Sequence, residues 1–318
     1  MSTPVLSICI PAYNRPKWFS RALASILTTP ETQQAQIEIV VSDDSTIAEC
    51  GQISHQSLSG WQGPWQYQVN SPSLGMAQNW NRCIQMAKGK YILILHDDDY
   101  LETGAIANIL ETVQAHPQTS AFLFGVNVVT AKEHVRKKQQ FSKMEYLDRR
   151  AALQQLLLNS SFVRFPGIVL QRDVFQQVGY FDEKVGGIAD IHLWIRIFNA
   201  YGVCCVPITT ANYTVHADAL TMNMFNESVV NQLLSLFDWI EAEQWLDLEL
   251  LEFCKTNYFH QFILAGSIRY LRIGNFKNTR KTLSLFNTVQ LNSQKAVFKW
   301  KLLRFLLISF FRPKTSCI

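Results

Sequence analysis

This 318-residue sequence lacks paired cysteines and long apolar runs. Its seven cysteines include no C-x-x-C pair, which argues against a disulfide framework or a zinc site and favours reduced thiols. No run of about 18 uncharged apolar residues is present, so a conventional transmembrane helix is not predicted. A secretory pattern is also missing at the start, where residues 5–10 alternate like a strand, and we therefore expect a cytoplasmic protein.

Acidic residues are missing from the last part of the chain. None follows Glu252, whereas twelve Lys and Arg residues lie between Lys255 and Lys314. The net charge of +4 therefore divides into −8 for residues 1–252 and +12 for the remainder. A basic tail on an acidic body predicts an anionic partner or surface. Since no nucleic-acid-binding motif accompanies this charge, we do not expect a nucleic-acid partner.

Short apolar segments alternate with helical patterns over the first 130 residues. Continuous apolar strands separated by helices are typical of a parallel sheet that is covered on both faces. Residues 46–66 are predicted to be irregular, and residues 227–318 to be helical. Strands are expected at 5–10, 37–41, 67–69, 91–95, 121–129, 167–171 and 203–208, with helices starting at Pro16 and at about 77, 103, 148, 173 and 190.

Polar residues follow several of these strands. Asn14, Asp43 and the run Asp97-Asp98-Asp99 all come directly after a predicted strand, and ligands of open α/β sheets bind at that edge. Three adjacent carboxylates repel one another unless a cation neutralises them. Oxygen ligands suit Mg²⁺ or Mn²⁺, which complete their shells with substrate phosphates. The alternative is a solvated acidic turn that caps the next helix.

Six segments, in order, resemble the family 2 glycosyltransferases over about residues 4–220. That family has a Rossmann-like nucleotide-binding fold called GT-A and transfers sugars with inversion. The resemblance therefore implies an α/β GT-A domain at 1–222, followed by a helical region with a basic amphipathic tail at 223–318. The segments are SICIPAYNRP (7–16), IVVSDDST (39–46), NSPSLGMAQNWNRCIQMAKGKYI (70–92), LILHDDDYL (93–101), FPGIVLQRDVFQQVGYFDE (165–183) and GIADIHLWIRI (187–197).

The resemblance also implies roles for individual residues. Asp190 matches the general base, although an Asp at that position also suits a helix N-cap. The nucleotide sugar is assigned to Pro11, Tyr13, Asn14, Asp43, Asn79 and Asp97, and an Mn²⁺ or Mg²⁺ ion to Asp98, Asp99 and His216. His216 as an ordinary loop residue and Asn79 as a surface residue of a helix are the alternatives.

The chain departs from the family pattern at two positions. His96 stands where the family usually has the first Asp of its metal motif, which leaves the ligand register open by one position. Ala189 stands in place of the Glu that usually precedes the catalytic Asp, so Asp190 is expected to act without that neighbour.

The implied chemistry needs these residue types. Inverting transfer is a single displacement, in which a cation stabilises the leaving diphosphate and a carboxylate takes the proton of the acceptor hydroxyl. We expect transfer from a nucleoside-diphosphate sugar, with UDP- or dTDP-sugars favoured, to a glycan or lipid-linked acceptor in bacterial cell-surface polysaccharide biosynthesis. A sugar-nucleotide nucleotidyltransferase is an alternative, although PAYNRP has no glycine for a phosphate loop. A catalytically degenerate nucleotide-binding scaffold is another.

The last segment combines aromatic and basic residues. Residues 296–311 read AVFKWKLLRFLLISFF, and as a helix they span about 24 Å, which is less than the hydrocarbon core of a bilayer. This pattern favours a helix that lies in the interface of an anionic membrane, on its inner face. A packed helix with a basic rim and an oligomer contact are the alternatives.

Overall fold

The structure is a computed structural model that describes residues 3–216, 224–291 and 293–311. The chain divides into two compact units. The first comprises Met1–Arg149, Val163–Lys184 and Ala189–His216, and the second comprises Arg150–Phe162, Val185–Ile188 and Ala217–Ile318. The domain boundary that we predicted, at residue 222, lies outside the described residues.

The centre of the first unit is a sheet, which has ten strands within the described residues. Its order is β3-β2-β1-β4-β9-β6-β10-β5, with β7 paired to β6 and β8 to β10. The strands are β1 (Leu6–Ala12), β2 (Ile37–Asp43), β3 (Trp65–Val69), β4 (Tyr91–Ile94), β5 (Tyr100–Leu101), β6 (Ala121–Thr130), β7 (Val135–Gln139), β8 (Glu145–Leu147), β9 (Ile168–Gln171) and β10 (Val203–Val215).

Helices precede and follow most of these strands. They are α1 (Pro16–Leu27), α2 (Glu31–Gln34), α3 (Glu49–Ser57), α4 (Met76–Met86), α5 (Ala105–Ala115), α6 (Arg149–Leu158), α7 (Val174–Val178) and α8 (Ala189–Tyr201). The C-terminal helices are α9 (Glu227–Ala242), α10 (Leu248–Arg272), α11 (Phe276–Ser284) and α12 (Phe298–Phe311). Short 3₁₀ turns lie at Phe165–Gly167, Glu183–Ile188, Leu285–Asn287 and Ser293–Lys295.

The centre of the sheet follows from its apolar sequence. All seven residues of β1 are buried, and the strand pairs in parallel with β2 on one side and β4 on the other. Ile8 lies opposite Ile39 and Leu93 on one face, and the next row, Cys9 opposite Val40 and Ile94, is buried on the other face. The predicted α/β architecture with a mainly parallel sheet and a helical C-terminal region is confirmed.

The structure departs from the sequence analysis at two places: the irregular segment expected at 46–66 was wrong, and the direction of one strand was not predicted. The strand at 168–171 runs antiparallel to both of its neighbours. This direction could not be predicted, because an apolar run has the same pattern in a parallel and in an antiparallel strand. Residues 46–66 contain helix α3, whose buried face is made of small residues such as Cys50 and Ser54 and so lacks an apolar stripe. Gly51 is needed there, since an added Cβ would lie 2.8 Å from the hydroxyl of Tyr67.

The second unit is helical throughout its described part. Helix α9 begins at an Asn226 cap that accepts a hydrogen bond from the backbone N–H of Val229, and α10 begins at an Asp247 cap that accepts from Leu250. Among the residues described, no helix has the length and apolar character needed to cross a membrane.

Candidate active site

The three carboxylates that follow β4 are held by backbone or side chains from other strand ends. The backbone N–H of Tyr13, after β1, donates to Asp97 Oδ2 at 2.9 Å. Arg15 Nη1 donates to Asp98 Oδ2 at 2.7 Å. The backbone N–H of Thr214, in β10, donates to Asp99 Oδ1 at 2.8 Å. The carboxylates therefore gather at one edge of the sheet, as the sequence predicts.

A group of possible metal ligands lies in this loop. Ligand atoms of His96, Asp98 and Asp99 all lie within 4.8 Å of one another. His216, at the end of β10, places its Nε2 3.0 Å from Asp98 Oδ2. Within the described part of the chain, His96 Nε2 and Asp99 Oδ2 are buried and have no hydrogen-bond partner. Because such atoms are costly unless satisfied, this donor set fits a bound cation.

The electrostatics of the loop also favour a cation. Burial, with a smaller effect of the Asp98 charge, raises the pKa of Asp97 to about 7. Burial and Asp98 likewise raise the pKa of Asp99 well above its usual value. Burial opposes ionisation of Asp98 as well, but His216, His96 and Arg15 outweigh it and lower its pKa. The three carboxylates thus ionise together only with further positive charge.

His96 has the protonation state that a metal ligand needs. Burial lowers its pKa to about 4, although the Asp98 charge opposes this shift. The imidazole is therefore neutral at pH 7, with a nitrogen lone pair available for coordination. At the sequence level we treated His96 as a departure from the metal motif, and the structure places it inside the acidic group.

Asn14 connects the ends of β1 and β2. Its backbone has a positive φ of 53°, which Asn tolerates better than most residues. The backbone N–H of Asn14 donates to Ser45 Oγ at 2.8 Å, and its Oδ1 accepts from the backbone N–H of Thr46 at 2.9 Å. Pro11, one of the predicted nucleotide-binding residues, is buried within β1. The exposed ring of Tyr13 lies between them in sequence.

Asp43 is fully buried at the end of β2. Its Oδ1 accepts from the backbone N–H of Ser45 at 2.9 Å, and its Oδ2 accepts from the hydroxyl of Tyr67 at 2.7 Å. Burial and this hydrogen bond raise the pKa of Tyr67. Asp43 therefore shapes the loop after β2, and its base-binding role stays a prediction.

Asn79 is buried on α4 and is not a surface residue. Its Nδ2 donates to the backbone oxygen of Ala12 at 3.2 Å, and its Oδ1 accepts from Asn70 Nδ2 at 3.1 Å. Asn79 thus joins the end of β1 to the loop that precedes α4. The carboxylate of Asp44 accepts from the backbone N–H groups of Leu74 and Gly75 in the same loop.

Asp190 is the second residue of α8 and is partly buried. Its Oδ1 accepts a hydrogen bond from the backbone N–H of Ile191 at 2.7 Å. Burial raises the pKa of Asp190 to about 6, while the backbone N–H groups of Ile191 and Asp190 itself oppose the shift. The side chain is therefore ionised at pH 7 and is a stronger base than an exposed carboxylate.

An aromatic cluster connects α8 with the acidic loop. The ring of His96 lies 4.2 Å from that of Phe165, and Phe165 lies 5.4 Å from Trp194. Trp80 stacks on His96 at 5.3 Å and also lies 4.8 Å from the ring of Phe165. Since Trp194 is one helical turn after Asp190, the two residues share the face of α8 that this cluster covers.

Three residues near the carboxylates were missed at the sequence level. Arg15 contacts Asp97 and Asp98. Its position directly after Asn14, a predicted site residue, could have indicated that it lies in the site. Arg21 donates to the backbone oxygen of Asp98 at 2.6 Å, and its guanidinium packs between the rings of Trp18 and Tyr100. Trp18 stacks on His216 at 5.3 Å. Periodicity places Trp18 and Arg21 only on a helix face and does not point to these contacts.

Sequence comparison matches residues 7–179, more than half of the chain, to the family described as Glycosyl transferase family 2. The uncharacterized protein MT1568 of Mycobacterium tuberculosis is 27% identical over 213 residues, 64% of this chain and 65% of that protein. A Campylobacter jejuni relative, GalNAc(5)-diNAcBac-PP-undecaprenol beta-1,3-glucosyltransferase, is 25% identical over 61% of this chain and 60% of its own. The chain thus spans less than two thirds of these two relatives.

Two solved structures share the fold. TarS 1-349 of S. aureus, in complex with UDP-GlcNAc, gives a TM-score of 0.56 at 14% identity, covering 89% of this chain and 91% of that one. The mannosyltransferase PcManGT of Pyrobaculum calidifontis, in complex with GDP-Man and Mn²⁺, gives 0.57 at 14% identity, covering 99% and 82%. These likenesses confirm the predicted GT-A-like fold.

Proposed function

Since the chain belongs to glycosyl transferase family 2, we propose that it is an inverting, metal-dependent enzyme of the hexosyltransferase type. The donor is a nucleoside-diphosphate sugar, and the acceptor is a hydroxyl of a glycan or a lipid-linked saccharide. One observation carries the proposal: buried carboxylates and a neutral histidine, with unpartnered ligand atoms among them, meet at the sheet edge where nucleotides bind.

The donor nucleotide is assigned to the ends of β1 and β2. Pro11, Asn14 and Asp43 border this edge, and Asn79 fastens the loop that faces it. Tyr13 supports the assignment because the residue is 54% exposed there, and an exposed aromatic side chain can stack on a base. Asp97 is placed toward the ribose or diphosphate. We favour UDP- or dTDP-sugars; TarS was solved with UDP-GlcNAc and PcManGT with GDP-Man, which supports a nucleotide-sugar donor of either base class.

The metal is assigned to Asp98, Asp99 and His216, with His96 added from the structure. A bound Mn²⁺ or Mg²⁺ ion supplies positive charge that stabilises the leaving diphosphate. Imidazole nitrogen among the donors favours Mn²⁺ over Mg²⁺, which prefers oxygen ligands. The Mn²⁺ complex of PcManGT is consistent with this choice. Arg15, whose guanidinium contacts Asp97 and Asp98, has the planar donor geometry that binds phosphate oxygens.

Asp190 is assigned as the general base. The acceptor oxygen attacks the anomeric carbon, its proton passes to the Asp190 carboxylate, and the bond to the diphosphate oxygen breaks. This single displacement inverts the anomeric configuration. A pKa of about 6 leaves Asp190 ionised at neutral pH and close to the value at which a general base is most effective. Ala189 has no acidic group, so Asp190 takes the proton without help from that position.

The setting is proposed to be cell-surface polysaccharide biosynthesis, by a cytoplasmic protein on the inner face of the membrane. The name of the C. jejuni relative, which includes an undecaprenol-linked saccharide, supports a lipid-linked acceptor. The basic, aromatic segment 296–311 supports contact with an anionic membrane. We assign the catalytic domain to residues 1–222 and the membrane-facing region to 223–318.

Thermal unfolding with UDP, dTDP, GDP and CMP, each with and without Mn²⁺, tests the donor site. A ligand at 100 times its dissociation constant adds about 2.7 kcal/mol to the free energy of unfolding, which is a readable shift. We expect Mn²⁺-dependent stabilisation by one nucleotide in the wild type, loss of it in Asp98→Ala, and its retention in the control Asp238→Ala. Asp238 is an exposed carboxylate on α9.

Two outcomes would contradict the proposal. Stabilisation by none of the nucleotides would favour a degenerate scaffold. Release of pyrophosphate from a nucleoside triphosphate, in place of nucleoside diphosphate from a nucleotide sugar, would favour a nucleotidyltransferase.

A further inference from the structure

Helix α12 exposes an apolar face. Five of its large apolar side chains are strongly exposed, and at a helical period they fall on one side of the helix. They are Phe298 (75%), Leu302 (47%), Phe305 (67%), Leu306 (54%) and Phe310 (75%). The opposite side carries Phe311, which is buried, and Arg304. This arrangement is the reverse of an ordinary surface helix, so folding alone does not account for it.

A cavity of about 490 Å³ opens beside this face. Its lining includes Lys301, Arg304, Phe305 and Ser309 of α12, together with His260 of α10. Phe305 belongs both to the cavity and to the exposed face, so the two features are continuous. The cavity therefore offers hydrogen-bond donors and positive charge directly next to an apolar surface.

Among the residues that the structure describes, no carboxylate forms an ion pair with Lys301 or Arg304 of this cavity. No acidic residue follows Glu252 in the sequence. Arg304 stacks on Phe286 at 4.1 Å, and Lys301 Nζ donates to the backbone oxygen of Gln294 at 3.1 Å. Both cations thus remain available for an external anion.

His260 keeps the inner wall of the cavity neutral. It is buried, its Nδ1 donates to the backbone oxygen of Thr256 at 2.7 Å, and its Nε2 faces Arg304 Nη1 at 3.5 Å. Burial lowers the pKa of His260, and Arg304 and Lys301 lower it further, whereas the Thr256 contact opposes the shift. The neutral ring accepts from the Arg304 guanidinium and holds it at the cavity.

We propose that α12 and this cavity dock the second unit on an anionic lipid bilayer. The apolar side chains of α12 enter the interfacial layer, and the phosphate of an anionic phospholipid lies in the cavity between Lys301 and Arg304. Helix α12 would be the surface that contacts the membrane, and the cavity would be a lipid-binding site. Only the membrane location is taken from the proposed function.

The length and charge of the segment favour this occupant. The 14 residues of α12 span about 21 Å, which is shorter than the hydrocarbon core, so the helix lies in the interface and does not cross. A second copy of the chain is disfavoured, because each copy has a net charge of +12 after Glu252 and two such regions repel. Anionic lipid has the opposite charge and an apolar part in the same molecule.

Vesicle flotation of the full chain tests the docking surface. The wild type is expected to float with phosphatidylcholine vesicles that contain phosphatidylglycerol, and much less with pure phosphatidylcholine. The double variant Phe298→Ser/Leu306→Ser, which leaves the cavity unchanged, lowers the partition coefficient at least about tenfold, because two large apolar side chains are lost. Lys301→Gln lowers it about fivefold, as expected for one surface cation.

The matched control is Lys88→Gln, the same charge change at an exposed lysine of the first unit. It is expected to float like the wild type. Equal flotation with both vesicle types, or undiminished flotation of the α12 variants, overturns the proposal. So does a wild-type dimer, seen by light scattering without vesicles, that the Phe298→Ser/Leu306→Ser variant loses. Flotation is measured without nucleotide, so its result is independent of the thermal-unfolding test of the donor site.

Discussion

The acidic edge of the first unit and helix α12 of the second unit depart from ordinary folding in opposite directions. At the acidic edge, Asp97 and Asp99 are buried although both are ionisable and of like charge. On α12, Phe298 and Phe310 are exposed although both are large and apolar. Burial of charge and exposure of apolar surface both cost free energy. Our two proposals place something outside the chain at each region, a cation with phosphate at the acidic edge and lipid at α12.

The distribution of acidic residues underlies this contrast. All 25 acidic residues lie in the first 252 positions, so carboxylate clusters can form only there and unneutralised cations dominate the rest. Four predictions test whether the two regions are as different as the structure indicates.

The largest effect is expected from Asp190→Asn. Loss of the general base lowers kcat about 10²–10⁴-fold with nucleotide affinity unchanged. The folded-state pKa of Asp190 is raised to about 6, so its ionisation at pH 7 opposes folding, and the variant should gain about 1–3 kcal/mol of unfolding free energy. Turnover of nucleoside diphosphate and urea titration measure the two quantities. An active variant, or a less stable one, would contradict the assignment.

Asp98→Ala has the next largest expected effect. Removal of a group that stabilises charge on the leaving diphosphate lowers turnover about 10²–10³-fold. The same steady-state assay with saturating Mn²⁺ measures it, and Asp238→Ala on α9 is the matched control. Full activity of Asp98→Ala would show that the acidic edge is structural, and the contrast with α12 would then be lost.

The pH dependence of kcat gives a smaller and graded effect. Asp190 acts in its ionised form, so kcat is level above about pH 7, is halved near pH 6 and approaches a tenfold fall per unit at lower pH. Measurement at saturating donor and Mn²⁺ keeps the carboxylates near Asp98 ionised, so that Asp190 accounts for the acid limb. A profile that stays level down to pH 5 would exclude Asp190 as the base.

The smallest effect is expected from Phe305→Ala, which is compared with Phe165→Ala to contrast the stability of the two regions. Phe165→Ala removes a buried ring from the cluster around His96 and costs about 3–5 kcal/mol of unfolding free energy. Phe305→Ala removes an exposed ring from α12 and changes it by less than about 0.5 kcal/mol. Chemical denaturation of both variants measures the difference. A large loss in Phe305→Ala would mean that α12 is packed and not a docking surface.

Much of the fold could be predicted because the central strands are continuous apolar runs with polar residues at their ends. The acidic run Asp97–Asp99 and its position after β4 could be found in this way, and the pattern placed Asn14 and Asp43 at the same edge. The antiparallel direction of β9 could not be predicted, because a short apolar run such as IVLQ occurs in parallel and antiparallel strands alike. β7 is an exposed strand, VRKKQ, whose pairing with β6 leaves no burial pattern in the sequence.

The site was predicted in part for similar reasons. The carboxylates are adjacent in sequence, but Arg15, Arg21 and His216 reach Asp98 only through the folding of β1, α1 and β10. The sequence of α12 shows its aromatic and basic residues, but only its packing shows that Arg304 turns toward His260 while Phe305 stays outside.

The stacking of tryptophans on the two candidate metal-binding histidines has an optical consequence. Trp80 lies 5.3 Å from His96, and Trp18 lies 5.3 Å from His216, on different elements of the same unit. A paramagnetic ion held by these imidazoles quenches indole emission at such short range. An ion bound as proposed would therefore make the chain its own fluorescent reporter of metal occupancy, and a diamagnetic ion such as Mg²⁺ in the same place would leave that emission unquenched.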